Sequence, residues 1–129
     1  MTVLLDTNVL VRHFTDDPPY LAARARAFLQ SGDGLFLVDL VVAEVVYVLE
    51  SYYEATRTTV ARHVRSALGS PTIDVADAPV LLRALELYEF ERLDFPEAYL
   101  AALAEGTGAV VASFDRSLDR VETVTRVEP

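Results

Sequence analysis

Four carboxylates stand at positions where solubility alone does not account for them. Asp6 directly follows Val3-Leu4-Leu5, and Asp115 directly follows Val110-Val111-Ala112-Ser113-Phe114. An acid at the carboxyl end of a buried strand lies on the edge where open α/β sheets bind ligands. Two such acids on parallel strands can come close enough to share a metal ion. Glu44 stands alone inside the apolar run Leu40 to Leu49. A helix apolar nearly all round reads as buried, and a buried carboxylate must raise its pKa, find a cationic partner or hold a metal. Glu97 falls in the first turn of a helix opened by Pro96, with Asp94 just before it.

Each acid also has an ordinary structural explanation. Asp6 can cap the helix that follows the first strand, and Asp115 can be a turn residue in Phe-Asp-Arg-Ser. Glu97 suits the positive end of a helix, and Glu44 can pair with a buried Arg. The set of four is what points to chemistry. His13 and His63 are too far apart in sequence to read as ligands and are expected to be surface or satisfied histidines. The six Tyr and six Phe fall at helical spacing and read as core rather than as a stacking platform for bases. The remaining acids, Asp16, Asp17, Asp33, Asp39, Asp74 and Asp77 among them, fall at caps, turns and polar faces.

Composition narrows what the four can do. The chain has 129 residues, 52% of them hydrophobic, and a net charge of −9. This is the size of one domain, residues 1–129, able to bury its own core. The absence of cysteine excludes disulfides, thiolate metal sites and a cysteine nucleophile, so any metal is held by oxygen or imidazole. All eleven basic residues are Arg. Without lysine there is no Schiff base, no P-loop lysine and no lysine clamp for a phosphoryl-aspartate. So acidic a chain is a poor generic binder of nucleic acid, unless bound divalent cations neutralise clustered acids. No apolar run is long enough to span a membrane, and the opening Met-Thr-Val-Leu-Leu-Asp lacks the basic start and cleavage site of a signal peptide; a cytoplasmic protein is expected.

Short apolar strands alternating with stretches of helical period predict an α/β domain with a largely parallel sheet. The expected order is βααβααβααββ. Strands are predicted at Thr2 to Leu5, Leu35 to Val38, Thr72 to Val75, Ala109 to Ser113 and Thr123 to Val127. Asn8 to Phe14 reads as a short helix. The next starts at the second Pro of Pro18-Pro19, has Leu21, Ala25, Phe28 and Leu29 on one face and closes at Gly32. Asp39 is expected to cap Leu40 to Tyr53, Thr56 to cap Arg57 to Leu68, and Asp77 to cap a helix through Arg92. Pro96 opens a last helix that Gly106 and Gly108 terminate.

The run Leu5-Asp6-Thr7-Asn8-Val9-Leu10 resembles the opening of the PIN-domain family, and in particular its VapC-type toxin ribonucleases. The likeness continues at Ala43-Glu44-Val45-Val46-Tyr47-Val48-Leu49, at Asp94-Phe95-Pro96-Glu97-Ala98-Tyr99-Leu100, and from Gly108-Ala109 through Ser113-Phe114-Asp115-Arg116. This resemblance implies a three-layer sandwich with a central, mainly parallel sheet flanked by helices. It also implies a metal-dependent endoribonuclease, the toxin of a toxin–antitoxin pair, that cuts RNA phosphodiester bonds with Mg²⁺ or Mn²⁺. The family's acidic quartet falls on Asp6, Glu44, Glu97 and Asp115. The third acid is more often Asp, so Asp94 stands as an alternative beside Glu97. Asn8 and Ser113 match positions that orient the carboxylates, while Arg12 and Arg116 are candidates for phosphate contacts. An antitoxin protein and a homodimer are the partners implied. A noncatalytic PIN-like module that binds RNA or protein is the alternative reading. A phospho-receiver domain fails for want of lysine, and an aspartyl-phosphate phosphatase fails because Asn8 stands where its second Asp is needed.

Overall fold

The computed structural model describes residues 1–129, which divide into two compact units, Met1–Ala76 and Asp77–Pro129. The elements follow the predicted order, with a 3₁₀ turn between the last two strands.

The first unit runs β1 (Val3–Leu4), α1 (Thr7–Thr15), α2 (Pro19–Ser31), β2 (Leu35–Phe36), α3 (Asp39–Ser51), α4 (Arg57–Leu68) and β3 (Ile73–Asp74). Its sheet has the order β1-β2-β3 and is parallel throughout, with Val3 opposite Leu35 and Leu35 opposite Ile73. Gly34 is fixed by geometry: its φ is +69°, and an added Cβ would lie 2.3 Å from the Met1 carbonyl oxygen. Only a residue without a side chain lets β1 and β2 begin side by side there. Helix ends follow local chemistry. Pro19 occupies the first helical position of α2, where its missing N–H costs nothing. The Thr56 hydroxyl accepts from the Thr59 N–H at 3.2 Å to start α4. Buried Leu5, Leu10, Leu35, Leu37, Val42, Val45, Leu49, Val60 and Val64 form the core of this unit.

The second unit is a helical hairpin, α5 (Ala78–Phe90) and α6 (Phe95–Thr107), followed by β4 (Val111–Ala112), a 3₁₀ turn (Arg116–Arg120) and β5 (Arg126–Val127). Asp77 caps α5 through Oδ1, which accepts from the Val80 N–H at 3.2 Å. Ala98, Ala101 and Ala102 are buried on α6 and leave room for Leu81, Leu85 and Tyr88 of α5. The Tyr88 and Phe95 rings meet edge to face. Arg83 of α5 holds Glu105 of α6 with two bonds, at 2.8 and 3.0 Å. The strands β4 and β5 pair in parallel, with Val111 opposite Arg126. The Arg126 guanidinium ties that pair to the 3₁₀ turn by donating to the Ser113 carbonyl and the Asp119 carboxylate, each at 2.9 Å.

Several expectations are corrected. The strands are shorter than predicted, although ladder bonds continue past their ends, as in Leu5 N–H to the Phe36 carbonyl at 3.0 Å. Leu4 is 69% exposed, so the first strand is not buried on both faces. Val38 rather than Asp39 is the N-cap of α3. Gly106 lies inside α6, and Gly108 alone ends it, with φ of +76°. Phe28 of α2 is exposed rather than in the core. His13 and His63 are half-buried against Phe14, with ring centroids 5.2 and 4.8 Å from it, and His13 Nδ1 has no hydrogen-bond partner.

Candidate active site

The first unit places Asp6 and Glu44 on one open cleft of about 430 Å³. Asp6 is the N-cap of α1, in extended conformation, and its Oδ1 accepts from the Thr7 N–H at 2.9 Å. The ordinary capping role is therefore real, and the carboxylate still faces solvent beside it. Glu44 is exposed, which corrects the expectation of a buried acid. The α3 helix is not covered all round: Leu40, Glu44 and Tyr47, spaced i, i+4, i+7, face outward, and Leu40 and Tyr47 are 79% and 68% exposed. An apolar sequence on every side of a helix marked it as buried, but one stripe of it is surface.

Other side chains complete this cleft. Asn8 and Arg12 line it with Asp17, Tyr52 and Tyr53. The Arg12 guanidinium donates to the Asp17 carbonyl at 3.2 Å, and the Tyr53 hydroxyl donates to the Asp17 carboxylate at 2.9 Å. The Thr7 hydroxyl lines the cleft from a buried position and has no hydrogen-bond partner.

The second unit sets Glu97 beside Asp115, near enough for each carboxyl to shift the other's pKa. Asp94 is the N-cap of α6 and is exposed. The Glu97 carboxylate accepts from its backbone N–H, half of a capping box. Burial raises the Glu97 pKa, and the hydrogen bond and charge of Asp115 and the charge of Asp94 raise it further. Asp115 moves the opposite way, lowered by hydrogen bonds from the Ser117 hydroxyl and backbone N–H and then from Glu97. The two shifts run in opposite directions, as expected of neighbouring carboxyls that do not titrate independently.

Asp115 is well oriented. Its Oδ1 accepts from the Ser117 N–H at 2.9 Å, and its own N–H donates to the Ser113 hydroxyl, also at 2.9 Å. Ser113 thus fixes the backbone that carries the acid. Arg116 opens the 3₁₀ turn, exposed beside it. Sequence reasoning did not find Ser117, Thr7, Tyr52 or Tyr53. The Asp-x-Ser spacing was a visible signal for the first; the tyrosines gave none beyond their position at the end of α3.

The donor set suits a hard divalent cation. None of the four acids is taken by an arginine: the ion pairs engage Asp16, Glu86, Glu105, Asp119 and Glu128 instead. Two neighbouring carboxyls, and a cleft of carboxylate, amide and unpartnered hydroxyl oxygens, match the preference of Mg²⁺ and Mn²⁺ for oxygen. No group of three or more acids or histidines stands at metal-holding distance; Asp6 and Glu44 lie in the first unit and Glu97 and Asp115 in the second.

The PIN domain matches the chain over residues 3–124. A VapC ribonuclease of Aquifex aeolicus (strain VF5) is 27% identical over 122 residues, covering 92% of this chain and 90% of that protein. The matched stretch begins at β1 and contains all four acids. With its parallel strands, its helical pairs and a match across nearly the whole of its length, this chain belongs to the PIN-domain family.

Proposed function

We propose that the chain is a metal-dependent endoribonuclease, the toxin of a toxin–antitoxin pair, working as one functional domain over residues 1–129. The observation that carries this reading is the division of four unneutralised acids into two prepared pairs within a chain of this family. Asp6 and Glu44 share a cleft, and Glu97 and Asp115 are neighbours that shift each other's pKa. The relative named as a ribonuclease supports RNA as the substrate.

Asp6, Glu44, Glu97 and Asp115 are the residues that would hold Mg²⁺ or Mn²⁺. When bound, the ion lowers the pKa of water and offsets charge on the phosphate. The chain's own residues prepare for this. Thr7 N–H fixes the Asp6 rotamer, and Ser113 and Ser117 fix Asp115. Asn8 faces the cleft beside Asp6, where its amide can orient the carboxylates. Arg12 on the cleft wall and Arg116 beside Asp115 supply positive charge for an RNA phosphate.

Partners follow from the same surface. A second cleft, of about 540 Å³, is lined by Asn8, Val9, Arg12, Leu21, Arg24, Ala25 and Phe28, a mixed apolar and arginine surface suited to an antitoxin segment. The exposed Leu40 and Tyr47 of α3 offer apolar area to a second copy in a homodimer. No helix is long and apolar enough to cross a membrane, and cytoplasmic RNA is the proposed target.

The deciding experiment is cleavage of a mixed RNA panel with Mg²⁺ or Mn²⁺ by the wild type, Asp6→Asn, and the wild type in EDTA. Cutting by the wild type alone is expected. A folded wild type that leaves every RNA intact would instead favour a noncatalytic binding module.

A further inference from the structure

Half of the tyrosines are exposed. Tyr20, Tyr47 and Tyr52 are 68%, 68% and 75% exposed. Of the three, Tyr52 alone lines the cleft that holds Asp6 and Glu44. It sits at the C-cap of α3, its N–H bonded to the Val48 carbonyl at 3.0 Å. Glu44, Val48 and Tyr52 follow one another at i, i+4, i+8 and line the same cleft. At 1.5 Å of rise per residue the Tyr52 backbone lies about 12 Å along the helix from that of Glu44.

That ring is braced. Tyr53 meets it edge to face, with centroids 4.9 Å apart and planes at 69°. Tyr53 is itself held by Asp17 through its hydroxyl at 2.9 Å, and the Asp17 carbonyl is held by Arg12 at 3.2 Å. An aromatic fixed at its edge and open to a cleft loses little entropy when a flat partner stacks on it. The chain's charge of −9 makes nonspecific phosphate attraction a poor source of affinity for RNA. Base stacking needs no positive charge and is worth ~1–3 kcal/mol per base, which is about 5- to 150-fold.

We propose that Tyr52 is a stacking platform for an unpaired nucleobase of the RNA substrate, with Tyr53 as its brace. The proposal rests on the endoribonuclease reading and adds a positioning residue to it. The distance from Glu44 assigns the stacked base to a nucleotide flanking the scissile phosphate. A base inside a duplex has both faces covered, so the platform selects single-stranded RNA, and stacking alone makes it tolerant of which base it takes.

The test separates binding from cutting. A short single-stranded RNA containing 2-aminopurine is titrated in EDTA with wild type, Tyr52→Ala and Tyr52→Phe, and the same variants are assayed for cleavage with Mg²⁺ or Mn²⁺. Stacking predicts quenching of the fluorophore by the wild type and by Tyr52→Phe. Tyr52→Ala should lose the quenching and raise both Kd and KM about tenfold, with kcat kept. An unchanged Kd and KM in Tyr52→Ala, in a protein that cleaves, would overturn the platform and leave the endoribonuclease standing. Equal losses in Tyr52→Phe and Tyr52→Ala would assign the effect to the hydroxyl and also overturn it. Quenching without cleavage by the wild type would keep the platform and refute the endoribonuclease reading.

Discussion

The acids of the first unit and those of the second are prepared in different ways. Asp6 and Glu44 sit on elements far apart in sequence, the start of α1 and the middle of α3, and meet only as walls of an open cleft. Glu97 and Asp115 touch, one desolvated and protonated more readily, the other ionised more readily. The first pair is held apart by scaffold, while the second lies close enough for each carboxyl to shift the other's pKa. Spacing by backbone and opposite pKa shifts are two solutions to the same electrostatic problem: like charges kept near one another.

The largest expected effects fall on both pairs alike. Asp6→Asn and Asp115→Asn should each reduce cleavage by more than the ~10–100-fold typical of losing an outer-shell partner. If only one unit's acid mattered, the comparison would collapse to a single working pair. Next comes Ser113→Ala, which removes the acceptor for the Asp115 N–H at 2.9 Å; a loss of about 10–100-fold in cleavage, with melting temperature little changed, is expected from kinetics and a thermal scan.

The smallest effect, one on stability rather than on cleavage, is the most discriminating. Glu97→Gln keeps a capping-box acceptor for the Asp94 N–H but removes the desolvated charge. In the metal-free protein its folded pKa is raised, so the native state binds more protons than the unfolded chain just above the usual Glu range. Stability therefore falls as pH rises through that window. Asp115, lowered, does the reverse, with stability present above the ordinary Asp range and lost as pH falls through its folded pKa. Glu97→Gln should cease to cleave yet melt at the wild-type temperature or slightly above it at neutral pH in EDTA, a gain of up to about 0.5 kcal/mol. A marked drop in melting temperature would show that Glu97 is chiefly structural.

Much of this was legible in the sequence because the signals were local. Thr56, Asp77 and Pro19 mark helix starts through one hydrogen bond or one missing N–H, and the structure uses each of them so. Asp6 and Asp115 were placed at strand ends for the same reason. Glu44 was not: its apolar neighbours predicted burial, but which stripe of an apolar helix faces solvent is decided by what packs against it, not by its own residues. The tyrosines failed similarly. Tyr88 entered the core and Tyr52 did not, although hydrophobic spacing treats them alike. The coupling of Glu97 and Asp115 depends on proximity across 18 positions of chain, which residue type alone could not reveal.

The most direct test of the account is a double-mutant cycle on single-turnover RNA cleavage with Mn²⁺, comparing Asp6→Asn, Asp115→Asn and the two combined. If the pairs serve one site, the double variant loses scarcely more than either single one, because groups that act as a unit are strongly non-additive. Losses that multiply, as they do for independent positions, would contradict the claim that the two acidic pairs work together.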